Sequence, residues 1–318
     1  MRPERAFLGL SHTPLLELNT VSPDVQADVR SALSTLSEAV TAWQPDRIVL
    51  IGPDHYNGFF NELMPPFCLG TAALSVGDYT TPAGPLNVDS AQALGLAEHL
   101  LSRDFDMAIS RRMTVDHGFA QPLQIVFGSL DTPPVVPIFL NAVAPPSIPT
   151  VARCAALGQT IGEWLDSLAG RTLVIGSGGL SHEPPVPTLD HPDQAIRERI
   201  TRRNTPTAAE REAKTRRVMA AGVALAAGDP SIRPLAPQWD AQWMQAIESG
   251  RFDDLVLGEA SMTRIAGRSA HESKTWVVGR AALAKDQPTI RQQRWYRAIP
   301  EFIAGFGILL LTQTFGRL

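Results

Sequence analysis

The first third of the chain alternates short apolar runs with a longer amphipathic segment. RAFLGL at 5–10 is apolar after its first residue, and from 25 to 43 apolar residues recur at every third or fourth position. The second spacing predicts a helix with one buried face. Ser22 suits its N-cap and Pro23 its first helical position. RIVLI at 47–51 is a β-branched run closed by Gly-Pro, which predicts a buried strand.

The same alternation continues through the middle of the chain. Helical spacing predicts helices at about 89–102 and 151–168, and strand-like runs occur at 107–110, 135–140 and 172–175. Strands that alternate with helices are typical of layered α/β proteins. We therefore predict an α/β fold, a layered α/β/α domain with a central mixed sheet and a metal site at the strand ends.

The pattern changes after His182. A proline-rich stretch is followed by a charged, alanine-rich segment that favours exposed helix. We predict that 190–228 forms a helical lid or an oligomer contact within a single catalytic domain spanning 1–318. Near the end, the apolar run at 302–311 is about half of the ~20 residues that a membrane span needs, so a buried or interface segment is expected there.

Composition narrows the class of protein. The chain has 318 residues, 44% hydrophobic and 19% charged, with a formal net charge of −4 and scattered Lys and Arg. These values favour a soluble globular protein and argue against nucleic acid as a partner. Cys68 and Cys154 cannot build a disulfide framework, so both are expected to be packing residues in a reducing compartment. The first residues lack the apolar core of an export signal, so we expect a cytoplasmic protein with no membrane partner.

Candidate chemistry begins with the histidines. His12, His55 and His182 each follow a predicted strand directly, and His117 is expected in a fourth loop after the run at 107–110. Ligands bind open α/β sheets at the carboxyl ends of the strands, so these imidazoles should meet in one region. His99 on a helix and His191 in a proline-rich loop have no such placement and are expected to be structural.

Two imidazoles and one carboxylate leave three open positions on an octahedral ion, which a diol and dioxygen would fill. Glu272 is a candidate carboxylate, although the residues alone do not distinguish it from other glutamates. Its neighbour His271 is an alternative ligand. The string HESKT lacks the second histidine of the zinc-protease helix, but a zinc-dependent hydrolase could use the same two-His-one-Glu site.

Five motifs occur together and in order along the chain. They are SHTPL at 11–15, PDHYNGFF at 53–60, DHGFAQPL at 116–123, GSGGLSHEPP at 176–185 and AHESKTW at 270–276. With MPPFCLG at 64–70 and IPEFIAGFG at 299–307, the set covers nearly the whole chain. It resembles the class III extradiol dioxygenases, which include protocatechuate 4,5-dioxygenase.

Carried over position by position, the resemblance implies that His12, His55 and Glu272 bind Fe(II). It implies that His117 and His182 act as acid and base. None of these five positions departs from the family pattern. A noncatalytic or regulatory homologue that keeps the fold and binds aromatic acids without turnover is a third alternative, against which the presence of all five residues argues.

The resemblance also implies a substrate. It is a catechol with a short acid side chain, 3-(2,3-dihydroxyphenyl)propanoate or 2,3-dihydroxycinnamate, which O2 opens to a 2-hydroxy-6-oxonona-2,4-dienedioate-type product. A substrate carboxylate needs a cationic or amide partner; Arg268 and Lys274 are candidates, with a solvated surface role as the alternative. A homo-oligomer is implied too, for which a tetramer is one candidate.

Overall fold

Strands form a large central sheet and a small second sheet in the computed structural model, which describes residues 3–313. In chain order the strands are β1 (Pro3–Leu10), β2 (Arg47–Gly52), β3 (Phe67–Gly70), β4 (Ala73–Val76), β5 (Ala83–Pro85), β6 (Ala108–Ser110), β7 (Met113–Val115), β8 (Val135–Leu140), β9 (Gly170–Ser177), β10 (Thr289–Ile299) and β11 (Ala304–Gln313).

Helices connect most of these strands. They are α1 (Pro23–Trp43), α2 (Ser90–Ser102), α3 (His117–Phe127), α4 (Val151–Asp166), α5 (Gln194–Thr201), α6 (Ala208–Ala226), α7 (Pro237–Ser249), α8 (Phe252–Gly258), α9 (Met262–Ala266) and α10 (Lys274–Ala281). Short 3₁₀ turns occupy Glu259–Ser261, Arg268–Ser273 and Pro300–Phe302. None of the helices within 3–313 is both long and apolar enough to cross a membrane.

The large sheet is mixed, in the order β10-β11-β1-β9-β2-β8-β3-β6. Its centre is parallel, because β1, β9, β2 and β8 run in the same direction, whereas β11 pairs antiparallel with both β1 and β10. Central strands of this kind are buried on both faces, which explains why their sequences are continuous apolar runs. The small sheet has the order β5-β4-β7.

Helices cover both faces of the large sheet. Leu8 and Ile175 pack on one face with α1 and α3, whereas Phe7 and Val174 pack on the other with α2, α4 and α10. The predicted α/β/α layering around a mixed sheet is therefore confirmed. The run at 302–311 falls mostly within β11, where it is buried between β10 and β1.

Two helices, α5 and α6, lie in the stretch 190–228. The buried face of α6 places Val218 and Leu225 in a separate apolar cluster with Leu15, Phe302 and Ile303. Backbone N–H groups of residues 61 and 62 donate to carbonyls at the end of α5. These contacts hold both helices beside the loops that follow β1 and β2. The role of this stretch as a lid or an oligomer contact stays a prediction. The single domain over 1–318 also stays a prediction, and residues 1–2 and 314–318 lie outside the described range.

Candidate active site

Three adjacent parallel strands deliver three histidines to one edge of the sheet. β1, β9 and β2 end at Leu10, Ser177 and Gly52, and the loops beyond them carry His12, His182 and His55 respectively. Because neighbouring parallel strands end at the same edge, the three side chains meet there. The predicted strand-end placement of these histidines is confirmed.

His117 reaches the same place from a helix, so the expectation of a fourth loop is wrong. It is the first residue of α3, and Asp116 caps this helix by accepting a hydrogen bond from the Gly118 N–H at 2.9 Å. The sequence pattern did not predict this helix because Pro122 lies inside it, and proline normally interrupts a helix. The preceding strand is β7 of the small sheet, not the run at 107–110. The His117 ring lies 4.4 Å from the His55 ring, centroid to centroid, and stacks on it.

Glu272 lies at the centre of the cluster. It belongs to the 3₁₀ turn before α10 and is 1% exposed. Its Oε2 lies 3.4 Å from His12 Nε2, and its Oε1 lies 3.1 Å from His55 Nε2 and 3.3 Å from His182 Nε2. The backbone N–H of Gly179 also points at Oε2, at 3.2 Å. The structure thus surrounds one buried carboxylate with three imidazole nitrogens.

Each of the four histidines, His12, His55, His117 and His182, has a hydrogen-bond partner at Nδ1. For His12 the partner is Ser177 Oγ at 2.9 Å, for His55 it is Asp116 Oδ2 at 3.1 Å, for His117 it is Asp78 Oδ2 at 2.7 Å, and for His182 it is the Leu180 carbonyl at 2.9 Å. Such partners fix the orientation of an imidazole and leave its Nε2 for a ligand. Each ring is therefore oriented through its Nδ1, and these partners do not occupy its Nε2.

Burial and charge perturb the cluster in opposite directions. Burial lowers the pKa of His12 to about 3, although Glu272 counteracts it. Burial alone would also lower the pKa of His55, but the carboxylates of Asp116 and Glu272 raise it well above its ordinary value. Burial would raise the pKa of Glu272, yet His182, His55 and His12 hold it well below its usual range. The carboxylate is therefore ionised and able to bind a cation.

His182 is packed closely by glycines. A Cβ on Gly179 would lie 2.7 Å from the His182 ring, closer than real Cβ contacts, and one on Gly267 would meet the His182 carbonyl. Gly267 also has φ +96°, which side chains other than glycine rarely adopt. Burial acts to lower the pKa of His182, but Glu272 outweighs it and the net shift is upward. Glycine at 179 is thus what allows this ring to lie beside Glu272.

The donor set fits a divalent metal ion. Nitrogens of His12, His55 and His117 lie within 4.8 Å of one another, and Glu272 adds a buried carboxylate between the first two. Three imidazoles alone also bind zinc, whereas two imidazoles with one carboxylate are the ligand set typical of non-haem Fe(II) oxygenases, and Glu272 supplies negative charge to balance a dication. The chemistry of the donors therefore favours His12, His55 and Glu272.

A cavity of about 1240 Å³ opens onto the cluster. Its walls include all five candidate side chains, the apolar residues Leu74, Val76 and Val186, and the ring of Tyr79, which meets the His117 ring edge-on at 5.1 Å. This volume is ample for a substituted catechol, since small-molecule sites are typically ~300–1,000 Å³.

Other residues considered from the sequence lie elsewhere. His271 turns away from the cluster and places Nε2 3.0 Å from Thr263 Oγ1, so it is not a ligand with Glu272. Lys274 is buried against Glu259 and the Pro149 carbonyl, and Arg268 pairs with Glu183. Neither of these two cations lines the cavity, so neither is placed to bind a substrate carboxylate there.

The two remaining histidines have different surroundings. His99 Nε2 lies 4.0 Å from Oε2 of the exposed Glu163. His191 lines the cavity, and its Nδ1 accepts a hydrogen bond from the Asp193 N–H.

Prediction from the sequence did not identify Asp116 and Asp78, the acidic partners of the histidines. Asp116 directly precedes His117, and an acid next to a candidate imidazole was the available signal. Asp78 lies 39 residues from His117 along the chain and sits in a turn-like GDYTTP string, where aspartate is common for other reasons. Only the packing of the small sheet against α3 brings it to the site.

Comparisons with known proteins find a family model and relatives that match most of the chain. Residues 6–307 match the family described as the catalytic LigB subunit of aromatic ring-opening dioxygenase. The chain is 60% identical to a 2,3-dihydroxyphenylpropionate/2,3-dihydroxicinnamic acid 1,2-dioxygenase of Comamonas testosteroni, over 96% of each chain. It is 44% identical to a protein of the same name from Burkholderia vietnamiensis, over 94% of this chain and 95% of that one. A crystal structure of an uncharacterized Escherichia coli K12 protein covers 96% of this chain and 98% of its own, with 15% identity and a TM-score of 0.49.

Proposed function

The chain belongs to the LigB family of aromatic ring-opening dioxygenases, and we propose that it is an Fe(II)-dependent extradiol enzyme. Its substrates are 3-(2,3-dihydroxyphenyl)propanoate and 2,3-dihydroxycinnamate, which O2 converts to 2-hydroxy-6-oxonona-2,4-dienedioate-type products in aromatic acid catabolism. The relatives' names support the substrate class. The convergence of imidazole nitrogens on the buried Glu272 carboxylate is the observation that carries the proposal.

The proposal assigns the metal to His12, His55 and Glu272. When bound there, ferrous iron supplies chelation of the diol and activation of dioxygen. The protein orients these ligands through Ser177 at His12 Nδ1 and Asp116 at His55 Nδ1. Removal of such supporting partners typically costs ~10–100-fold in metal affinity or activity.

In this proposal His182 acts as the general base. Its Nδ1–H donates to the Leu180 carbonyl, so the neutral ring carries its lone pair on Nε2, next to the Glu272 carboxylate. A catechol hydroxyl placed at this nitrogen can transfer its proton to it. Burial acts to lower the pKa of His182, but Glu272 outweighs it and the pKa is raised, so the ring holds a proton more readily than burial alone would allow.

In this proposal His117 acts as the general acid. As an imidazolium it keeps Nδ1–H on the Asp78 carboxylate, 2.7 Å away, and its Nε2–H remains to donate a proton as the oxygen–oxygen bond breaks. Asp78 also accepts from the His117 backbone N–H at 2.8 Å. The same carboxylate therefore fixes both the main chain and the ring of the acid. General acid and base steps each contribute ~10²–10⁴-fold.

The alternatives are less well supported. Membership of a ring-opening dioxygenase family does not favour a zinc-dependent hydrolase. A noncatalytic homologue would have no need of four imidazoles and a carboxylate held in one cluster. We further propose a homo-oligomer, as in the sequence-based expectation, and a cytoplasmic location, which the two free buried cysteines Cys68 and Cys154 support.

Anaerobic reconstitution with Fe(II) tests the proposed function. Oxygen uptake and the absorbance of a yellow ring-opened product are then recorded on addition of 3-(2,3-dihydroxyphenyl)propanoate, with Zn(II)-loaded protein as the control. Stoichiometric oxygen consumption with the yellow product, seen only with iron, is the expected result. Bound iron without oxygen uptake on any catechol would refute the proposal.

A further inference from the structure

The basic residues of the cavity all come from one segment. Every lysine or arginine that lines it lies between positions 199 and 217, in α5, α6 and their connection. The set is Arg199, Arg203, Arg211, Lys214 and Arg217. Two glutamates of the same segment, Glu210 and Glu212, also line the cavity, and Leu74, Val76 and Tyr79 add apolar and aromatic surface. A ligand in this cavity thus meets apolar and aromatic side chains together with a segment in which five cations outnumber two carboxylates.

These cations differ in what they already bind. Arg199 pairs with Glu210 at 3.2 Å, and Arg203 donates to Thr114 Oγ1 at 3.1 Å. Lys214 forms no ion pair with any carboxylate in residues 3–313, and its Nζ approaches only the His55 carbonyl, at 3.4 Å. Since an ammonium has three donors, Lys214 retains hydrogen-bonding capacity for an anionic ligand.

The position of Lys214 relates this charge to the cluster. Its Nζ contacts the main chain of His55 and lies 5.7 Å from the centre of the Tyr79 ring, which itself meets the His117 ring. A catechol bound at the imidazoles with its side chain along Tyr79 would present a terminal carboxylate to Lys214. The half-buried position of Lys214 shields such a pair from solvent, so the interaction is stronger than at an open surface.

We propose that Lys214 binds the side-chain carboxylate of the substrate and so selects catechols that carry an acid over neutral catechols. Arg217 lines the same cavity one helical turn further along α6 and reinforces the positive field. This role rests on the proposed dioxygenase function. It gives the helical stretch after His182 a task in substrate recognition.

A comparison of two substrates tests the proposal. Iron-loaded wild type, Lys214→Met and Lys214→Arg are assayed with 3-(2,3-dihydroxyphenyl)propanoate and with the neutral 3-propylcatechol. Lys214→Met should raise KM for the acid by roughly 10- to 100-fold with little change in kcat, as expected for loss of a hydrogen bond between charged groups. Its kcat/KM for 3-propylcatechol should stay at the wild-type value, and Lys214→Arg should keep a preference for the acid.

Arg202→Met is the matched control. Arg202 belongs to the same basic segment, is 77% exposed, pairs with Glu198 and does not line the cavity. It should leave the acid preference unchanged. Equal losses on both substrates in Lys214→Met, or no loss on either, would overturn the proposal.

A binding measurement separates this proposal from the function on which it rests. Calorimetry of metal-free protein with 3-phenylpropanoate, which has the acid but no diol, requires no ring cleavage. Weaker binding by roughly 10-fold or more in Lys214→Met, but not in Arg202→Met, is expected; unchanged binding would contradict it. If the wild type cleaved no catechol, the proposed function would fail while the carboxylate site would still be tested.

Discussion

Replacement of Gly179 by alanine should slow turnover by displacing His182. The new Cβ would lie 2.7 Å from Cε1, 2.9 Å from Nδ1 and 3.1 Å from Nε2 of the ring. To reach an ordinary contact of 3.4 Å the ring must retreat by about 0.7 Å. It cannot do so freely, because its Nδ1 is bonded to the Leu180 carbonyl.

The size of the effect follows from this displacement. Misplacement of a catalytic group by ~1 Å can cost about 10²-fold in rate, so a roughly 10- to 100-fold lower kcat is expected. Metal content should stay at the wild-type level, because the proposed ligands His12, His55 and Glu272 are not displaced and the Gly179 N–H to Glu272 is retained in alanine. The measurement is kcat by oxygen uptake, beside iron content determined on the same sample.

Two controls identify the cause. Gly258→Ala adds a methyl group where nothing lies within 4 Å, and it should leave kcat unchanged. The double variant Gly179→Ala/His182→Ala should be no slower than His182→Ala alone, because the damage acts through the ring already removed. A wild-type kcat in Gly179→Ala, or additive losses in the double variant, would refute this reasoning.

Three further outcomes are expected. His12→Ala and Glu272→Ala should each lose iron and activity together, as measured by metal analysis beside oxygen uptake; an inactive variant with full iron would remove that residue from the ligand set. Burial lowers the pKa of His271 to about 4, so this ring binds a proton less readily in the folded state than in the unfolded state. The stability that depends on the neutral ring is fully present above the unfolded pKa of about 6.5 and is lost as the pH falls toward 4. In urea unfolding, His271→Gln should remove about 2 kcal/mol of the stability difference between pH 7 and pH 5, and an unchanged difference would contradict this. Lys274→Met should leave Glu259 without its buried partner and cost about 3–5 kcal/mol in the free energy of unfolding, with partial recovery when Glu259→Gln is added; a loss below about 1 kcal/mol would show that the pair is not structural.

The sequence predicted the parts of the fold that have strong periodicity. The helix at 23–43 and the strands at 47–52 and 135–140 begin and end close to the predicted positions, because continuous apolar runs and proline or glycine boundaries are local signals. β4 and β5 contain only four and three residues, too few for an alternating pattern to be recognised. Their stability comes from pairing with each other and with β7, which local sequence does not encode.

The site was predictable to a similar extent. His12, His55 and His182 could be located because each follows a strand of the central sheet. Glu272 was singled out only by resemblance to the family, since 217 residues separate it from its contact His55. Lys214 could not be found from the sequence at all. Its place in the cavity depends on how α6 packs on the apolar cluster around Leu15.

The insertion of β11 between β1 and β10 has a consequence for biosynthesis. Of the described strands, β1 is the first to leave the ribosome, yet its antiparallel partner spans residues 304–313. Until those residues are synthesised, one edge of β1 has open hydrogen-bonding groups, a known route to aggregation. His12 follows β1 directly, whereas Glu272 comes late in translation. The nascent chain must therefore extend past residue 272 before the cluster can close, so a ribosome-stalled fragment that ends before residue 272 should bind no metal at the proposed site.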